Sequence, residues 1–316
     1  MTRTFIPQPV LDAAHARAAA RAARDWATAD RLRDEIEAAG WRVVDSGTDF
    51  GLEPQHPPDV EVGGSVLYGR SGAVPSLLEE LATSRATVVV LAGDHPEDLA
   101  RATDSVLANL PVGTDLVVVA DDPAAPVAER LEKLVGSSEV VSTSERLGAG
   151  AALNIGLRRS RGEVVVLMDP SIELTGDAVT PLIEALGDPE VAVAGAFGLR
   201  TEDLRRFEET TDAGPVAAIE AYLMAFRRAD AAQRGPVDEA FRFYRNLDIW
   251  WSLVLRDGGP DAIPRRALVV PGLPIVRHEH RGWSSVEPAE RERLSKRNFY
   301  RVLDRFRDRP DLAVGS

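Results

Sequence analysis

Between Thr87 and Ala196, short runs of Val, Leu and Ala alternate with stretches in which apolar residues recur three or four positions apart. Short apolar runs bounded by polar turns read as buried strands, and the wider spacing reads as helices. Strands are expected at Thr87–Ala92, Asp115–Ala120, Val140–Ser142, Val164–Met168 and Val191–Ala196, and later at Leu268–Val270. Helices are expected at Leu99–Leu110, Val127–Val135, Ala151–Arg159 and Ala178–Leu186. This order predicts an α/β fold whose mostly parallel sheet is covered by helices on both faces, with ligands beyond the carboxyl ends of its strands.

Upstream, Leu11, Ala18, Ala22, Trp26, Ala29, Leu32, Ile36 and Ala39 trace a helical stripe. Asp25 is placed to cap a second helix and Gly40 to end it, which predicts a small helical hairpin. Trp41–Val44 then reads as extended, with turns at Ser46-Gly47-Thr48 and Gly51. Pro and Gly crowd the following stretch, so the expected organisation is a small helical unit over 1–53, a connector over 54–83 with a short helix at Leu77–Leu81, and a main domain over 84–316. Near the carboxyl end Glu287–Arg309 reads as an amphipathic helix docked by Leu294, Phe299, Val302, Leu303 and Phe306.

Charge and composition narrow the chemistry. Thirty-seven basic residues against fifty acidic ones leave a net charge of −13, which disfavours extended nucleic-acid binding. The absence of cysteine excludes disulfides, zinc ribbons, iron–sulfur clusters and thiol nucleophiles. A metal, if used, is then a hard divalent cation on oxygen or imidazole ligands. The apolar runs fall far short of the roughly 20 residues a membrane helix needs, and the amino terminus lacks a signal-peptide core. The expected location is cytoplasmic, with a membrane surface reachable through a substrate or partner.

Polar residues gather where the predicted strands end: Asp94, then Asp121 and Asp122, then Glu145 and Arg146, then Asp169. Asp121 and Asp122 can accept hydrogen bonds from a base or ribose, or cap the next helix, and both readings stay open. The run from Arg146 through Gly148, Gly150, Asn154, Gly156 and Gly162 to Asp169 follows the paired Asp. It resembles the nucleotide-sugar half of family 2 glycosyltransferases of the GT-A fold, rhamnosyltransferase-like members included, and the likeness extends from about Thr87 to His280. As a dinucleotide fingerprint the same stretch is weak, because Leu153 stands where the third glycine belongs.

The resemblance implies a nucleotide-diphosphate sugar donor, a saccharide, lipid-linked or other hydroxyl acceptor, and a Mg²⁺ or Mn²⁺ ion. It assigns the nucleotide to Asp94, Asp121, Asp122, Arg146, Gly148, Gly150 and Asn154, and the metal to Asp169 and His280, with His278 as the alternative. The family's Asp-x-Asp is altered here to Asp169-Pro170-Ser171, with Glu173 two residues farther on. Asp169 acting with Ser171, Glu173 or water, a weakly held metal, and an Arg or His cation in its place all remain open. Arg277, Arg281 and Trp283 flank the His pair and are further candidates for holding an anionic donor.

In the second half, Asp238-Glu239 and the stretch Tyr244 to Arg256 resemble the family's acceptor block. Aligned on Arg256, the family's catalytic Asp falls on Asp248, while Leu247 and Trp250 stand where two further acids belong. Asp248 is therefore the expected base, capping its helix is the plainer alternative, and Asp238 and Glu239 are fallbacks. Trp250 and Trp251 cannot share one helix face, so one is expected in the core and Trp251 is the candidate to meet a sugar ring.

A second, shorter likeness covers Ala18 to Gly51, which resembles the tail of bacterial cysteinyl-tRNA synthetases. No catalytic signature of that enzyme accompanies it, so it implies a borrowed fold. The expected activity is inverting glycosyl transfer, with a non-catalytic nucleotide-sugar-binding module as the first rival and a tRNA-associated factor as the second.

Overall fold

A computed structural model describes residues 6–46, 49–134, 136, 138–259 and 262–315. The predicted turn at Gly47-Thr48 and Val135, the predicted end of a helix, lie outside the described residues.

The main sheet has ten strands in the order Gly214–Val216, Arg266–Val269, Val191–Gly195, Leu223–Arg227, Gly162–Met168, Ser84–Ala92, Thr114–Ala120, Glu139–Thr143, Ser65–Tyr68 and Val60–Val62. Its centre is parallel, and Leu223–Arg227 enters antiparallel between two strands of the common direction. The alternation of side chains along a strand decides which layer each residue joins. Val88, Val90, Leu116, Val118, Val164 and Val166 pack under one face, against helices Pro96–Asn109 and Val179–Ala185. Val89, Val117, Val119, Val165 and Leu167 pack under the other, against Ala149–Arg159 and Leu247–Arg256. Burial on both sides is why these strands read as unbroken apolar runs.

The amino-terminal unit has its own small core of Val10, Ala14, Ile36 and Trp41. Its helices are Gln8–Ala22 and Trp26–Ala38, and the Asp25 carboxylate caps the second by accepting from the Thr28 amide at 3.1 Å. Gly40 takes φ +80° and stops that helix. Gly51, expected in a turn, instead pairs with Val44 inside the strand pair Trp41–Ser46 and Asp49–Pro54. The segment 54–83 contributes the two edge strands Val60–Val62 and Ser65–Tyr68. No helix forms at Leu77–Leu81: the Glu80 amide closes a single turn on the Leu77 carbonyl at 3.0 Å, and the Arg228 guanidinium donates to the Leu77 and Glu80 carbonyls.

Two pieces of the second half shape the cavity described next. A short strand pair joins Ile172–Leu174, just after Asp169, to Ile275–Arg277, just before the His278–His280 stretch. The helix Pro288–Phe306 docks through Val302 and Phe306, and its buried Asn298 amide donates to the Phe243 and Arg245 carbonyls at 2.7 and 2.9 Å. Among the described residues no helix is long and apolar enough to cross a membrane.

Candidate active site

The carboxyl ends of the central strands open into one cavity of about 340 Å³. Asp94, Asp121, Arg146, Gly148, Asp169, Asp248, Trp251 and His280 all line it. Residues separated by up to 186 positions in sequence, Asp94 and His280, therefore share one hollow. Asp122, Gly150 and Asn154 are not part of its lining.

The strand-end acids are largely committed to the protein itself. Asp121 accepts from the Leu147 and Gly148 amides, each at 2.7 Å, and from the Thr143 hydroxyl at 2.9 Å. It fixes the loop that starts helix Ala149–Arg159, which is nearer to the capping alternative than to reading a base. Asp122 is exposed, with φ +57°. Asp94 and Arg146 form a two-pronged pair at 2.6 and 3.2 Å. That pairing holds the Asp94 carboxyl below its usual range and raises the Arg146 guanidinium.

The glycines answer a packing demand. A Cβ on Gly148, at φ +100°, would lie 2.7 Å from the Arg242 Cα, and one on Gly150 would lie 2.6 Å from the Asp238 carbonyl oxygen. The Ala149 and Gly150 amides donate to the Arg242 and Phe241 carbonyls, so the first amides of this helix are capped by the 238–242 loop. Asn154 completes the clamp: its Nδ2 donates to the Val237 carbonyl and to Glu239 Oε1, both at 2.9 Å, and its Oδ1 accepts from the Val237 amide at 2.8 Å. Gly150 and Asn154 thus position the loop carrying Arg242, Phe243 and Tyr244 into the cavity.

Asp169 lies at the centre of the mouth. Its Oδ1 accepts from the Ser171 amide at 2.8 Å and the Ser171 hydroxyl at 2.5 Å, and its Oδ2 lies 3.2 Å from His280 Nε2. Burial opposes the charged form, but His280 and Ser171 outweigh it, and the carboxyl sits below its usual range. His280 Nδ1 accepts from the Trp283 amide at 3.0 Å, so the neutral ring carries its proton on Nε2, facing Asp169. The ring stacks on Tyr244 with centroids 4.8 Å apart. Burial works against protonation of this imidazole, yet the Asp169 bond and charge raise its pKa. Glu173, one of the expected stand-ins for the missing acid, is bonded to His278 at 2.7 Å, and neither lines the cavity.

Asp248 sits in the first turn of helix Leu247–Arg256, whose preceding Asn246 takes φ +66°. Its oxygens accept from the Ile249 amide at 2.9 Å and the Ala221 amide at 3.3 Å. Burial raises its pKa against these bonds and the nearby Arg245 charge. The fallback acids are engaged elsewhere, Asp238 with Arg301 at 3.3 Å and Glu239 with Asn154 and Ser71. Trp251 is buried in the cavity floor at 1% exposure, edge-on to Phe226, and Trp250 packs on Phe241 and Arg305. Trp251 is therefore a wall, with little of its face free for a sugar ring.

Sequence reasoning passed over Glu220, which is 4% exposed beside Asp248 and whose carboxyl accepts no hydrogen bond among the described residues. Burial, then the Asp248 charge, pushes its pKa up to about 8. The one available signal was an acid between Ile219 and Ala221 in an otherwise apolar run of sequence.

The family profile described as "Glycosyl transferase family 2" matches residues 87–245, half of the chain. The chain belongs to that family. Among solved structures this family 2 member is similar to GalNAc-T7 with UDP, GalNAc and Mn²⁺, at TM-score 0.58 and 16% identity, covering 72% of this chain and 50% of that one. It is also similar to the mannosyltransferase PcManGT of Pyrobaculum calidifontis in complex with GDP-Man and Mn²⁺, at TM-score 0.54 and 19% identity over 75% of this chain and 70% of that one. At these identities the likeness is one of fold, and it agrees with the GT-A expectation. A separate 49-residue stretch is 49% identical to the cysteine–tRNA ligase of Opitutus terrae, covering 16% of this chain. The chain spans only 11% of the length of that curated relative.

Proposed function

We propose that the protein transfers a glycosyl group from a nucleoside-diphosphate sugar to a hydroxyl acceptor with inversion, Asp248 serving as the base. The observation that carries this reading is the shared cavity of Asp94, Asp121, Arg146, Asp169 and Asp248 in a family 2 fold. In the transfer, the acceptor oxygen bonds to the anomeric carbon as the carbon–phosphate oxygen bond breaks. The acceptor proton passes to Asp248 and the electron pair leaves with the nucleoside diphosphate. The high pKa that burial imposes on Asp248 makes it a stronger base than an exposed carboxylate.

The leaving diphosphate needs positive charge. Among the described residues no three His, Asp or Glu side chains converge as a metal cage. Asp169, ionised and facing the cavity, fits the sparser arrangement in which one carboxylate, water and substrate phosphates hold Mg²⁺ or Mn²⁺. His280 fits less well as a ligand, because ligation through Nε2 places a proton on Nδ1, which here accepts from Trp283. It suits the role of orienting Asp169. A bound cation would neutralise charge developing on the diphosphate.

A thermal-shift screen of UDP-, GDP- and dTDP-sugars with and without Mn²⁺ or Mg²⁺ tests the reading, since a ligand of the native state raises Tm. Failure of every one to bind removes it. Asp248→Asn is expected to abolish transfer while sparing donor binding, and wild-type turnover in that variant would reject Asp248 as base. A second reading, nucleotide-sugar binding without catalysis, is favoured by Ser171 in place of the second acid and by the internal commitments of Asp121. It predicts donor binding with no release of nucleoside diphosphate under any acceptor.

A further inference from the structure

Two arginines near Asp248 and Glu220, outside the residues that line the cavity itself, have their hydrogen-bonding edges uncommitted among the described residues. The Arg277 guanidinium lies 4.9 Å from the ring centre of Phe197 and 4.8 Å from that of Tyr222. The Arg245 guanidinium lies 5.2 Å over Trp283. Neither has an acidic partner at ion-pair distance or donates a side-chain hydrogen bond among the described residues. Stacking on aromatic faces fixes a guanidinium plane and leaves its N–H fork free for a planar or tetrahedral anion. Both charges act on Glu220, the buried carboxyl with no hydrogen-bond partner, as do Asp248 and Glu209.

The sheet order places the Arg277 stack away from the nucleotide side. Val191–Gly195, which leads to Phe197, and Leu223–Arg227, which follows Tyr222, lie on one side of Gly162–Met168. The strands that lead to Asp94, Asp121 and Arg146 lie on the other. Asp169, at the end of Gly162–Met168, stands between. Arg245, Arg277 and Glu220 thus gather near Asp248, and Arg277 does so on the side of the sheet opposite the strands that lead to Asp94, Asp121 and Arg146. With a net charge of −13 the molecule as a whole repels anions, so two unpaired, stacked arginines at this spot are a local exception.

We propose that Arg245 and Arg277 form an acceptor subsite for an anionic group, a phosphate or carboxylate carried on the acceptor sugar, with Glu220 bonding a neighbouring hydroxyl. The inference rests on the glycosyl-transfer reading of this cavity. The anion offsets the two arginines, and the arginines in turn offset the repulsion it would meet from Asp248. Neutral glycosides leave both guanidiniums without a partner.

The test is calorimetric titration of the full chain, saturated with UDP or GDP, whichever raises its Tm, with glucose 1-phosphate, glucuronate and methyl glucoside. At least one anionic sugar is expected to bind about tenfold or more tightly than methyl glucoside, and comparing the two anions separates phosphate from carboxylate. Arg277→Ala and Arg245→Ala, both at exposed positions, are expected to weaken the anionic sugar about tenfold and leave nucleotide affinity unchanged. Arg277→Lys restores only part, because an ammonium lacks the fork. Equal affinity for all three sugars, binding of none, or a loss of nucleotide rather than sugar affinity in Arg277→Ala overturns the proposal. If no nucleoside diphosphate or nucleotide sugar binds the wild type, the glycosyl-transfer reading itself has failed, and the subsite proposal falls with it.

Discussion

Replacing Asn154 by Ala offers the sharpest check on how the cavity is held open. Asn154 is 4% exposed, and its amide is the only side chain seen bonding both the N–H and the C=O of Val237 among the described residues. The truncation strips both of these backbone groups and removes the third bond, to Glu239. A buried group left without its partner costs about 1–3 kcal/mol. Two such groups, partly relieved by relaxation, give about 2–4 kcal/mol for Asn154→Ala. At roughly 2–4 °C per kcal/mol for a large domain, Tm should fall on the order of 5–10 °C. Urea unfolding should show a lower midpoint with an unchanged m value. Asn154→Asp keeps the acceptor for the Val237 amide but turns an oxygen toward the Val237 carbonyl and Glu239, so at neutral pH it should be at least as destabilised as the alanine variant. Since the loop it pins bears Arg242 and Tyr244, nucleotide-sugar affinity should fall in both. A Tm within about 1 °C of wild type for Asn154→Ala would refute the clamp.

Other expectations follow from the same contacts. Gly150→Ala forces a Cβ to 2.6 Å from the Asp238 carbonyl, a backbone atom that cannot swing aside, and should cost about 1–3 kcal/mol by chemical denaturation. The Asp169–His280 pair should stabilise the fold most between about pH 4 and 6.5. The lowered Asp169 pKa means its contribution is lost as pH falls through the folded value, and the raised His280 pKa means its contribution is lost as pH rises through its own. His280→Gln should flatten the upper limb of a stability–pH curve, and an unchanged limb would argue against the pairing. Glu220 works in the opposite sense: its folded pKa of about 8 lies above the unfolded value, so it drains stability as pH climbs from about 4.5 to 8. Glu220→Gln should therefore be more stable than wild type at pH 8, with little difference at pH 4, and a parallel pH dependence of the two proteins would count against the buried, unpaired carboxyl.

Most of the sheet was legible because its strands are buried on both faces and so cannot tolerate polar interruptions. Ser84–Ala92, Thr114–Ala120 and Gly162–Met168 start within three residues of the positions that periodicity predicts and end on them. The helix missing at Leu77–Leu81 was not legible, since the docking of its carbonyls on Arg228, some 150 positions away, exists only in the folded chain. The same distinction runs through the cavity. Asp94, Arg146 and Asp169 announced themselves by standing at strand ends. Asn154, Gly148 and Gly150 were legible as a motif, but their work of seating the 237–242 loop appears only when that loop is brought against them.

Local pattern and composition by themselves determined the order of strands and helices, the two-faced burial of the sheet and the exclusion of thiol chemistry, because each depends on residues close together in the chain or on residues absent from it. Tertiary structure alone decided which polar groups are spent on the protein and which remain free. Asp121 is consumed by amides 26 and 27 positions on, Asp169 is shared with His280, and the side chains of Glu220, Arg245 and Arg277 have no hydrogen-bond or ion-pair partner among the described residues. A hydrogen bond or ion pair needs its partners within about 3–4 Å, and only the folded chain sets distances between residues far apart in sequence.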